Sequence, residues 1–77
     1  MNAAAVSELQ STAALFDDRA GRLEAAADML ATRAATATWA GPAADRFRLL
    51  MVERRNELRL GAASLRDAAH ALRLVVQ

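Results

Sequence analysis

Gly41-Pro42 stands at the middle of a 77-residue chain that reads as helix on both sides. Proline fixes its own φ and lacks an N–H, so it suits the first position of a helix and halts one that precedes it. Glycine tolerates the backbone needed to reverse direction. A break at this place leaves two arms of similar length, and the spacing within them calls for an all-α antiparallel hairpin. The expected helices cover about 3–37 and 42–76, joined by a turn at 38–42 within one domain, 1–77.

The periodicity agrees with that division. In the first arm Val6, Leu9, Ala13, Phe16, Ala20, Leu23, Ala27, Leu30 and Ala34 alternate spacings of three and four, which keeps one stripe facing a partner helix. The second arm repeats this at Ala44, Phe47, Met51, Leu58, Gly61, Leu65, Ala68, Leu72 and Val75, with a lapse at Arg54. Leu9, Phe16, Leu23 and Leu30 against Phe47, Met51, Leu58, Leu65 and Leu72 make the expected hairpin core. Asp45 falls where a carboxylate favours the positive end of the second helix, and Thr36 and Thr38 leave the end of the first one soft. At 1.5 Å per residue each arm is ~50 Å long, so the molecule is expected to be a rod.

Two details stay open on the sequence. Folding about residue 40 sets Gly21 roughly opposite Leu60 and Gly61. Those glycines either permit a close backbone approach or are simply tolerated, at ~1 kcal/mol each relative to Ala. Arg54, on the stripe, either runs its stem out to water or reaches Glu24.

Composition narrows the class further. Alanine and leucine dominate, the aromatics are Phe16, Trp39 and Phe47, and cysteine is lacking, so this is helical material with no disulfide to staple a small core. The net charge of +1 hides an asymmetry. Residues 1–38 carry five acids against three arginines, and residues 39–77 carry seven arginines against four acids. Such arms favour lying side by side, though solvated pairs contribute only a few tenths of a kcal/mol each. No apolar run approaches the ~20 residues that span a bilayer, so no membrane insertion is expected. The start MNAAAVSELQ lacks a basic region and reaches Glu8 too early for a secretory signal peptide.

Catalytic chemistry finds little to use. His70 is the only histidine, its nearest acid is Asp67 on the same helix face, and a metal set or glycine-rich phosphate loop cannot be assembled. Neither an enzyme nor a cofactor is expected. Arg48, Arg54, Arg55, Arg59, Arg66 and Arg73 could point to nucleic acid, but they form no continuous face and Glu53 and Glu57 interrupt them. A solvated face paired with the acidic arm is the preferred reading, without a nucleic-acid partner. An arginine-rich nucleic-acid-binding protein is kept as the second alternative.

Surplus apolar residues are more telling. Leu15, Met29, Leu49, Leu50, Val52, Leu60 and Leu74 fall off the intramolecular stripe. Burying a leucine-sized side chain is worth ~1.5–3 kcal/mol, and a lone hairpin offers these nothing to bury against. A second hairpin, completing a four-helix bundle, would cover them. Trp39 lies in the turn, where its own helices have run out of stripe, and a tryptophan there is better placed to grip a partner. The expected dimer interface is Leu15, Met29, Trp39, Leu50, Leu60 and Leu74.

Trp39-Ala40-Gly41 between two helices, followed by Ala43, Ala44 and Phe47, gives the pattern W-x-G-x-A-A-x-x-F. In this the chain resembles the WXG family of small early-secreted-antigen-like (ESX) proteins over its whole length. The resemblance implies a helical hairpin that pairs head-to-tail with another hairpin, as homo- or heterodimer. It implies export from actinobacteria and related bacteria through type VII secretion, with a cytoplasmic stage before it. It also implies that Trp39 and Gly41 form the turn read by the secretion ATPase, with Phe47 as the core residue beneath. The family's C-terminal Y-x-x-x-D/E signal has no counterpart in these residues, and Leu72 and Val76 stand where its Tyr and acid would be. A subunit of this kind would draw on a partner for that signal. The alternative function is a chaperone-like adaptor for the helical leader domain of a larger secreted toxin.

Overall fold

A computed structural model describes residues 2–77 as two helices, α1 (Ala3–Thr36) and α2 (Pro42–Val75), packed antiparallel as a hairpin. Asn2 starts α1 by accepting the Ala5 N–H on its side-chain oxygen at 2.7 Å, a standard use of asparagine ahead of a helix. Thr12, Thr32 and Thr36 turn their hydroxyls back to carbonyls one turn earlier, at 2.9–3.0 Å, so these weak helix formers are absorbed within the helix. The chain leaves α1 at Ala37 in an extended conformation (φ −66°, ψ 124°). Pro42 opens α2, and the Asp45 N–H closes its first turn on the Gly41 carbonyl at 3.0 Å.

The hairpin is a rod of 61 × 14 × 12 Å with a radius of gyration of 17.7 Å. A compact domain of this length would have a radius near ~11–12 Å. Residues repeating every seven positions, as Ala13, Ala20 and Ala27 do, demand that helices coil to stay in contact.

The innermost layer is alanine. Ala13, Ala20, Ala27, Ala44, Ala62 and Ala69 are at most 2% exposed, while no large side chain among the described residues is fully buried. The larger residues Leu9, Phe16, Leu23, Leu30, Met51, Leu58, Leu65 and Leu72 are half-buried and flank that layer. Small side chains at the contact line let the two backbones approach, and the long ones then lie over the join. A two-helix protein cannot bury a leucine completely, since only one neighbour covers it.

In α2 the inward face differs from the expected one. Ala44, Met51, Leu58, Leu65 and Leu72 are joined by the buried Ala62 and Ala69 and the half-buried Arg48, Arg55 and Val76, while Phe47, Gly61 and Ala68 of the expected stripe are half-buried too. The difference from expectation is that Ala62 and Ala69 are the fully covered positions, in place of Gly61 and Ala68, and that Val75 is 58% exposed. The alanines decide the face because they admit α1 most closely. Arg54 is correspondingly off the stripe and exposed, and pairs with Glu57 of its own helix at 3.2 Å. Glu24 is taken by Arg66, whose Nε donates to it at 2.7 Å. The two glycines do not face each other either. A Cβ on Gly21 would meet open space, while one on Gly61 would lie 3.3 Å from Leu23 Cδ1.

One flank of the rod is charged and pairs the acidic arm with the basic one. Arg73 reaches Asp17 at 2.7 Å, Arg66 lies between Asp17 (3.8 Å) and Glu24, and Arg59 reaches Asp28 at 3.4 Å. All these groups are partly exposed, so each pair contributes at most about 1 kcal/mol. They also hold the register of the arms.

Candidate interaction site: the Trp39 turn and the apolar flank

The turn is built by residues that cannot continue a helix. Gly41 has φ 107° and ψ 179°, a conformation confined in practice to glycine, and it is the only residue with positive φ among those described. The reversal leaves Trp39 on the outside of the bend. Its ring tilts against Phe47, with centroids 5.7 Å apart and planes at 43°, within the usual range for an aromatic pair. Even so, 47% of Trp39 remains exposed.

Arg48, one residue beyond Phe47, reaches back over the turn. Its Nη2 donates to the carbonyl oxygens of Ala37 at 3.1 Å and Trp39 at 2.7 Å. Asp45 lies 3.8 Å from the same guanidinium. Sequence reasoning missed this residue, treating it as one of several surface cations. The available signal was that α1 ends without a glycine, so its last carbonyls need a donor from elsewhere.

The residues expected to lie off the stripe are all exposed: Leu15, Met29, Leu49, Leu50, Val52, Leu60 and Leu74, and Val75 joins them. Their arrangement follows from their offset to the half-buried row. Positions one residue after that row (Asp17, Glu24, Arg59, Arg66, Arg73) make the charged flank. Positions one residue before it include Leu15, Met29 and Leu50, which fall on the opposite flank beside the half-buried Phe47, Gly61 and Ala68. Leu60 and Leu74 come two residues after the row and turn to the outer side of α2. The six residues expected to form one interface thus divide. Leu15, Met29 and Leu50 share a flank, with Arg22 and Glu57 at the same offset among them. Leu60 and Leu74, fourteen residues apart, make a separate outer strip.

Little else on the molecule is disposed for chemistry. Among the described residues no three His, Cys, Asp or Glu side chains group as metal ligands, and His70 is exposed with no ion pair to Asp67. The Nε of Arg55, on the inward row, is buried without an acceptor. No described helix is long and apolar enough to cross a membrane. No protein-family model matches the sequence, and the comparisons with curated proteins and with solved structures find no match.

Proposed function

We propose that this chain is a non-enzymatic interaction protein of type VII (ESX) secretion. In this reading it pairs through its apolar flank with a second W-x-G-type hairpin, a copy of itself or a companion, to make a four-helix bundle. The Trp39–Gly41 turn is the element read by the secretion ATPase. The observation that carries the reading is Trp39 itself: the largest side chain of the protein is held half-exposed, at a bend only glycine can make, on a hairpin that also leaves Leu15, Met29 and Leu50 exposed. A tryptophan fixed at an exposed bend has the properties of an interface anchor. The W-x-G-x-A-A-x-x-F pattern attaches that anchor to the secretion family it resembles.

Coexpression with small helical proteins encoded beside it, followed by an export assay in a type VII-competent actinobacterial host, tests the reading. Trp39→Ala is expected to remain helical but to lose assembly or export. Wild-type assembly together with wild-type export of that variant would overturn it. Co-purification of a large multidomain protein, in place of a small hairpin, would transfer the assignment to a toxin adaptor. The arginine pairing on the charged flank argues against a phosphate-binding surface, since Arg59, Arg66 and Arg73 are already matched by carboxylates.

A further inference from the structure

We infer that Arg48 is the positioning residue of the turn: it ties the segment leaving α1, at Ala37 and Trp39, to α2 across the bend and sets the direction in which Trp39 is presented. The inference rests on the reading of the turn as a recognition element, and it concerns what holds that element in shape.

Helix α1 ends without the glycine that usually folds back to satisfy the last carbonyls. Its exit residue, Ala37, is already extended, and Arg33, the basic residue of its last turn, makes no hydrogen bond to the exit. The donor comes from α2. One guanidinium nitrogen of Arg48 binds the carbonyls of Ala37 and Trp39, two residues apart, and so ties the segment between them to a helix on the other side of the bend. A cation at this place also meets the negative end of the α1 dipole. Arg48 occupies the inward row, half-buried, so packing along the join holds its stem before the charged head reaches the turn. The residue before it, Phe47, is the seat of the Trp39 ring. One helical turn of α2 therefore supplies both the strap on the Trp39 main chain and the surface under its side chain. Gly41 permits the reversal without choosing where the indole points.

Trp39 is the only tryptophan, so its fluorescence reports on this turn alone. Arg48→Met keeps the stem and removes the donors; Arg48→Lys keeps the charge with a shorter, less directional head. Arg46→Met removes an exposed cation from the same turn of helix and serves as the control. In the full chain, R48M is expected to red-shift Trp39 emission and to raise its acrylamide quenching constant at least twofold, at unchanged helix content by circular dichroism. R48K should fall between R48M and wild type, and R46M should match wild type. Should R48M lose helix, R48K decides: altered quenching at full helix content supports the inference, and unaltered quenching overturns it. Wild-type emission and quenching in a fully helical R48M would likewise overturn it. Export of the same variants separates this inference from the reading it rests on. Altered fluorescence with undiminished export would support the strap and remove the turn from recognition.

Discussion

Leu23 fills the space above Gly61, its Cδ1 lying 3.3 Å from where a Cβ at position 61 would stand. Gly21, in the middle of the other helix, has only open space around it. Both glycines cost helix stability, by ~1 kcal/mol relative to Ala, but only one of them is occupied by a neighbour. Gly21→Ala is expected to raise the melting temperature by about 4–8 °C for each kcal/mol gained in a chain of this size. Gly61→Ala should gain clearly less, because Leu23 must move aside. Equal gains in thermal melts would show that the contact carries no constraint.

The alanine layer makes a sharper demand. Ala20 is fully buried against α2, so Ala20→Leu forces the arms apart and is expected to cost about 1–3 kcal/mol in chemical denaturation. Ala14→Leu, on the exposed side of the same helix, should stay within about 0.5 kcal/mol of wild type. If the two substitutions proved equally mild, the close approach of the helices along Ala13, Ala20 and Ala27 would be wrong.

Gly41→Ala addresses the bend. A side chain at φ 107° and ψ 179° is strained, and the expected loss is about 1–3 kcal/mol. Trp39 emission should shift as well, since relief of the strain displaces the turn. A variant of wild-type stability and wild-type emission would mean that the bend does not need glycine.

Asp17 bridges Arg66 and Arg73 on the charged flank. Asp17→Asn is expected to cost no more than about 1 kcal/mol at low ionic strength, and almost nothing in ~1 M salt, where charges are screened beyond ~3 Å. A loss that persists in high salt would identify Asp17 as a packing residue.

The elements that were legible in the sequence are those set by local chemistry. Gly41-Pro42 announced the bend, and helices starting at Ala3 and Pro42 lie where the spacing placed them. The leucines with no place on the stripe are exposed because the hairpin has no third helix to cover them. The inward face of α2 was not legible. Gly61 and Ala68 stand on the expected stripe, yet Ala62 and Ala69 are the residues buried, because they let α1 come close. That preference belongs to the pair of helices and not to either alone. The strap from Arg48 escaped for the same reason, since it depends on carbonyls released at the end of the other helix. The expected interface was read as a set of exposed residues, but a list of exposures does not say which of them share a flank. Only the offset from the half-buried row separates Leu60 and Leu74 from Leu15, Met29 and Leu50.

A second hairpin is expected to cover the flank carrying Leu15, Met29 and Leu50. Sedimentation equilibrium combined with melting at several concentrations tests it most directly. The expected result is either a species of twice the 8.2 kDa chain mass, with a melting temperature that rises with concentration, or a chain that melts sharply only after a companion hairpin is added. Leu15→Asp with Met29→Asp should abolish that behaviour. A solitary 8.2 kDa hairpin with a sharp, concentration-independent melt, unaffected by those two substitutions, would contradict it.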